Sequence, residues 1–196
     1  MNLTAIYLQL QEKYLRAPDW ENFFSLMGAL LLKWPILSSR PLSYVQLKSF
    51  IKELGISIQE EELESCYGMI ASLCVEEKIK DEESGEEKEK FDDKLFKTKS
   101  FWKAFLSVKK NNGPVILLSK NLSAKEKLYV MAHELAHYLL GHTVKFNDID
   151  NHVKELHADI LAYWLTDIPS PLRTKEENFL IARLVDGKTK EGGNHE

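Results

Sequence analysis

His133 and His137 stand four residues apart, with Glu134 between them, in "VMAHELAHYLLGH". On a helix, residues four apart project from one face, so both imidazoles can take two corners of one metal ion. Glu134, beside His133, reaches the open fourth position without binding the metal. There it can take a proton from a water. The surrounding Val130, Met131, Ala132, Leu135, Ala136, Leu139 and Leu140 are apolar, so this helix is expected to be buried, and a metal is one account of buried imidazoles beside a carboxylate. Five residues of motif do not make a site, however. A third protein ligand is needed.

Two routes to that ligand are open. Gly at 140 and His at 143 would make the longer zinc-protease pattern with three histidines, but the chain has Leu140 and Thr143. His142 follows His137 by five and points off the ligand face of a continuing helix, unless Gly141 ends the helix and frees it. The other route is downstream. In "NHVKELHADILAYWL", Glu155 and Asp159 lie one helical turn apart. Glu155 would complete a site of two His and one Glu. Asp159, on the same face, would accept the outer N–H of a ligating histidine and fix its ring. Ala158 and Ala162 allow close helix packing. His152 falls near this face and is an alternate ligand or pocket residue; His157 falls nearly opposite, as a buried or partner-facing histidine. Tyr138, His142, His152 and Tyr163 are candidates to stabilise an oxyanion.

These helices need a frame. Leu3, Ile6, Leu10 and Tyr14 form a helical stripe over 2–15, and Asp19 caps a second, apolar helix from Trp20 to Trp34 that stops at Pro35. A third helix starts at Ser43, with Val45, Leu47, Phe50, Ile51 and Leu54 on one side, and ends at Gly55. "SIQEEELESCYGMIASLCVEEKI" reads as a fourth helix, on the spacing of Leu63, Tyr67, Ile70 and Leu73 or Cys74. A nearly wholly charged run follows, with no apolar residue between Ile79 and Phe91. It reads as a linker, or as the wing of a winged-helix module. Glu60, Glu61, Glu62 and Glu64 on the preceding segment would repel phosphates, so direct DNA binding is disfavoured. Beyond Ser100, "GPVILLS" is a short strand, and Ser123 with Glu126 forms a capping box for the motif helix. A further helix is expected over 149–165, then a short helix and a loose tail that holds His195. Trp102, Phe105 and Trp164 are candidates for groove or core.

The expected fold is mainly α (α+β): a helical N-terminal region, 1–80, possible kin of winged helices; a charged linker or wing, 81–99; a minimal zincin-like domain with a short sheet beside the active-site helix, 100–185; and a flexible tail, 186–196. The 196 residues carry a net charge of −4, so no global basic field points to nucleic acid. Cys66 and Cys74 form no CxxC motif and read as buried or free thiols of a reducing compartment. The N-terminus lacks the pattern of a signal peptide, and the longest apolar run is too short to span a bilayer, so a cytoplasmic protein is expected.

From Val115 to Pro169 the chain resembles the ImmA/IrrE family of metallopeptidases, a gluzincin-like group. The likeness rests on a strand, then "NLSAKEKLYVMAHELAHYLLGH", then "KELHADILAYWLTDIP". It is specific at His133, Glu134, His137, Glu155, Ala158, Asp159, Ala162 and Leu165. The chain departs from the family pattern at Ala136, where Gly is usual, at His157, where Glu is usual, and at Leu161, where Phe is usual; one residue is inserted before Pro169. The resemblance implies an intracellular Zn2+-dependent endopeptidase acting on a specific protein, commonly a helix-turn-helix repressor that controls a mobile element or stress regulon. Two other functions fit the residues: a non-catalytic metal-binding or interaction module, and a DNA-associated regulator working through a winged-helix N-terminal region.

Overall fold

A computed structural model describes residues 2–63, 67–71, 106–108, 110–143 and 149–191. Helices α1 (Leu3–Arg16), α2 (Trp20–Lys33) and α3 (Tyr44–Glu53) come first, then strands β1 (Ser57–Glu61), β2 (Gly68–Ala71) and β3 (Val115–Ser119). Helices α4 (Ala124–Leu140), α5 (Asn151–Thr166) and α6 (Lys175–Glu191) complete the order. The fold is mainly helical with one small sheet, as expected.

The helix starts follow local chemistry. Asn2, Asp19, Ser43 and Ser123 each accept a hydrogen bond from a backbone N–H of the following first turn. Ser43 with Gln46 and Ser123 with Glu126 form reciprocal capping boxes. Gly141 closes α4 with φ of 80°, a left-handed conformation that glycine adopts without strain.

Two stripes are rotated from the expected faces. On α1 the buried residues are Tyr7 and Tyr14, while Leu3 lies 46% exposed. On α3 they are Leu47, Phe50 and Ile51, and Val45 faces outward. The last helix is also longer than expected, at 17 residues.

The helix expected from Ser57 to Ile79 does not form over the described residues. Residues 57–61 and 68–71 are strands instead. The sheet runs β1-β3-β2, with β1 parallel to β3 (Ser57 opposite Val115) and β2 antiparallel to it (Gly68 opposite Leu118). All five residues of the central strand β3 are buried. Pairing on both sides of an apolar strand outweighs the helix preference of a Glu-rich segment. The sheet therefore joins segments from before and after the charged run.

One main core unites α1, α2, α3, β3, α4, α5 and α6. Leu63 and Met69 pack on a smaller cluster of Val108, Val115 and Leu117 on the other face of β3. Two ties dock α1 on α4: the Tyr7 hydroxyl and the Gln11 amide both donate to Leu139 O, at 2.8 and 3.0 Å. That carbonyl is one of the four that a helix end leaves unpaired. The charged run, Cys66, Cys74, Trp102, Phe105 and His195 lie outside the described residues. Among the described residues no helix is long and apolar enough to cross a membrane.

Candidate metal centre

Helices α4 and α5 pack along each other and bring three side chains together. His133, His137 and Glu155 each offer a ligand atom, all within 4.8 Å of one another. His133 Nε2 lies 3.0 Å from His137 Nε2 and 3.2 Å from Glu155 Oε2, and His137 Nε2 lies 3.4 Å from Glu155 Oε1. The two imidazoles are mostly buried, but the Glu155 side chain is 55% exposed, so the cluster opens to solvent on that side.

The donor set fits a cation. Asp159 Oδ1 lies 2.9 Å from His133 Nδ1, and a carboxylate can only accept, so the proton of a neutral His133 sits on Nδ1. Its Nε2 lone pair then faces a second imidazole nitrogen and a carboxylate. Three electron-rich atoms pointing at one spot repel unless something positive lies between them. The electrostatics say the same. Burial opposes charge on His133, but its bonds to Asp159 and Glu155 outweigh burial and raise the ring to about 10. Burial also opposes the charge of Glu155, and the two histidines outweigh it, holding its carboxyl well below the usual range. A bound cation meets that demand for positive charge as a proton does.

Glu134 stands apart from the ligand set. It is buried, and burial raises its carboxyl above the ordinary value against the pull of His133 and His137. Its carboxylate accepts a hydrogen bond from the Ile70 N–H of β2. The Ser119 N–H donates to Tyr67 O at 2.9 Å, so the alternation of the antiparallel ladder turns the amides of Gly68 and Ile70 away from β3, to the outer side of β2. The edge amide of Ile70 thus holds Glu134. A Cβ on Gly68 would come within 3.3 Å of Glu134 Oε1 and 2.3 Å of Val130 Cγ1. Only a glycine lets β2 lie this close to α4.

Asp159 is a hub behind His133. Besides the His133 N–H, it accepts the Tyr129 hydroxyl on Oδ1 and Arg173 Nε on Oδ2. Burial favours its neutral form, but the His133, Tyr129 and Arg173 donors outweigh that and keep its carboxyl low. Arg173 comes from the turn after α5 and also approaches Glu177, Nη1 to Oε1 3.4 Å.

The remaining candidates separate. His142 is behind His137 rather than in the ligand set: its Nδ1 lies 2.9 Å from His137 Nδ1, and its Nε2 2.8 Å from Tyr14 Oη. Burial depresses its basicity strongly, to about 2. His157 is buried against Tyr14, Phe23 and Trp20, and burial lowers it to about 4. His152 lies exposed in the first turn of α5. Tyr138 is half-buried against the core and adds to the field on Tyr7. Tyr163 lies in the fields of Arg40, Asp167 and Asp186, outside the ligand set. Trp164 is half-buried against the core, with Arg40 4.3 Å over its ring and its N–H aimed at Leu37 O, 3.4 Å away.

Tyr129, Arg173, Tyr14 and Ile70 were not expected at the site. Tyr129 had a local signal, since it lies four residues before His133 on the same face. The other three reach the site only through tertiary packing.

Residues 86–169 match the family model Peptidase_M78, the IrrE N-terminal-like domain. The match spans β3, α4 and α5, and so all of His133, Glu134, His137, Glu155 and Asp159. It bears out the resemblance to the ImmA/IrrE family in the C-terminal part, and it implies a metallopeptidase-like domain there. No curated protein and no solved structure matches the chain.

Proposed function

We propose that the chain is a zinc-dependent endopeptidase acting on a specific protein, with a helix-turn-helix transcriptional repressor as the first substrate to try. The observation that carries this reading is the spacing of the three donors. Ligands 2.0–2.1 Å from a tetrahedral zinc stand about 3.3 Å from one another. The three separations here are 3.0, 3.2 and 3.4 Å. His133, His137 and Glu155 would hold the ion, and three protein ligands leave one position open for chemistry.

When bound, the metal supplies Lewis acidity toward the scissile carbonyl. The chain's own groups do the rest. Glu134, fixed by the Ile70 N–H, takes a proton from the attacking water onto its carboxylate. It then returns that proton to the leaving amine nitrogen. Asp159 keeps the His133 proton on Nδ1 and so keeps Nε2 free to ligate. Among the described residues β2 is an outer strand of the sheet, and its edge beside Glu134 supports binding of the substrate as an added extended strand.

The test is metal content and cleavage together. The wild type should purify or reconstitute with about one zinc per chain, and Glu155→Ala should lose it. Glu134→Gln should keep both zinc and fold but lose cleavage of a repressor encoded beside this protein. A wild type that takes up no zinc, even after reconstitution, sinks the reading. Zinc retained by Glu155→Ala moves the third ligand elsewhere.

A further inference from the structure

His133 and His137 offer the same nitrogen to the metal but are held from behind by different means. His133 has the Asp159 carboxylate. His137 has a chain of neutral groups: His142 Nδ1 at 2.9 Å, then Tyr14 Oη 2.8 Å from His142 Nε2, then His157 Nδ1 2.9 Å from Tyr14 Oη. We propose that Tyr14, carried in by α1, and His142 are positioning residues for the ligand His137, so that the N-terminal helix sets part of the metal affinity. This rests on the metal-site reading above.

The protons of this chain can be placed in one way that serves the metal. A neutral imidazole that gives its Nε2 lone pair to a cation carries its proton on Nδ1. His137 Nδ1–H therefore donates to His142 Nδ1. Having accepted there, His142 keeps its own proton on Nε2 and donates it to Tyr14 Oη. The Tyr14 hydroxyl then donates to His157 Nδ1. Three hydrogen bonds then run in one direction, each with one donor and one acceptor. Reversing the order puts a proton on His142 Nδ1, facing His137 Nδ1. His137 would then have to accept there and hold its proton on Nε2, where it could not ligate. Run in the first direction, the wire holds His137 in the tautomer that binds metal.

The far end of the wire is rigid. Tyr14 is fully buried and His157 nearly so. The His157 ring stacks on Phe23 at 4.2 Å between centroids and meets the edge of Trp20 at 5.0 Å. Helix α2 thus fixes His157, His157 aims the Tyr14 hydroxyl, and Tyr14 orients His142.

Helix α1 also supplies the control. Tyr7, two turns before Tyr14, is buried on the same helix and donates to Leu139 O at 2.8 Å. Its bond anchors α1 without joining the wire. Zinc affinity of the full chain would be measured by competition with a chromophoric chelator for wild type, Tyr14→Phe, His142→Ala and Tyr7→Phe. The absorption spectrum of each Co2+-loaded form would be recorded beside it. Losing an outer partner of a ligand weakens binding about 10–100-fold. Tyr14→Phe and His142→Ala are expected to fall in that range and to alter the cobalt spectrum, while Tyr7→Phe keeps wild-type affinity and spectrum. Affinities of Tyr14→Phe and His142→Ala within about twofold of wild type would overturn the proposal and leave the metal site standing. So would an equal loss in Tyr7→Phe, which would trace the effect to looser packing of α1. A wild type that binds no zinc removes the metal reading itself, and this inference with it.

Discussion

Asp159→Asn separates what the hub does for the fold from what it does for the site. Asparagine keeps the volume but has one carbonyl oxygen and an NH2 group. Asp159 now accepts His133 and Tyr129 on one oxygen and Arg173 on the other. If the NH2 group turned toward His133 and Tyr129, two bonds would fail. If it turns toward Arg173, one fails, so that orientation wins. The lost bond is charge-assisted, worth about 1.5–3 kcal/mol, and Glu177 at 3.4 Å covers part of the loss for Arg173. A destabilisation of about 2 kcal/mol follows, which in a chain of this length lowers Tm by roughly 4–8 °C. The site should suffer separately. His133 keeps an acceptor, but a neutral one, and zinc affinity should fall about 10–100-fold, or roughly 1.4–2.8 kcal/mol. Thermal melts with zinc and with chelator, plus chelator competition, measure both quantities. The gap in Tm between zinc-loaded and stripped protein should narrow in the variant, because tighter binding to the folded state is what widens it. A lower Tm with zinc affinity within twofold of wild type would refute the reasoning. Asp159 would then be an ion-pair partner for Arg173 and nothing more.

Two further substitutions test the frame. Gly68→Ala places a methyl 2.3 Å from Val130 Cγ1 and 3.3 Å from Glu134 Oε1, with Leu117 O at 3.2 Å on the other side. The edge strand has to move off α4, at a cost of about 1–3 kcal/mol in denaturant unfolding, and turnover should fall more than zinc affinity because Glu134 loses its Ile70 anchor while the ligands do not. Ser123→Ala removes the cap that accepts from the Glu126 N–H and should cost about 1 kcal/mol of stability; cleavage per zinc-loaded chain should be unchanged, and a loss of zinc affinity would mean that the start of α4 governs the ligands ten residues away.

What could be read from the sequence was what helices encode locally. His133 and His137, and Glu155 and Asp159, sit at the four-residue spacing that puts side chains on one face, and the caps at Asp19, Ser43 and Ser123 are short-range hydrogen bonds. The sheet was legible only at β3, an apolar run between turn residues. Residues 57–61 read as helix because Ser-Ile-Gln-Glu-Glu shows no clean alternation. As an edge strand carrying charge, β1 does not need one. Misreading that region hid Ile70 and Gly68, and with them the anchor of Glu134. Arg173 was hidden because nothing around it marks a turn residue that reaches back to α5.

Tyr14 shows why the outer partners are the hardest residues to find. It belonged to the expected apolar stripe of α1, and its ring is indeed buried there. Periodicity reports only that the ring leaves water. It says nothing of the hydroxyl, which a buried tyrosine must still satisfy. Here the partners are two histidines, 128 and 143 residues downstream. The same side chain therefore counts once as core and, in the proposed wire, once as a support of the metal site. A substitution that keeps the ring and removes the oxygen, Tyr14→Phe, divides the two roles: the core should tolerate it, and the ligand His137 should not.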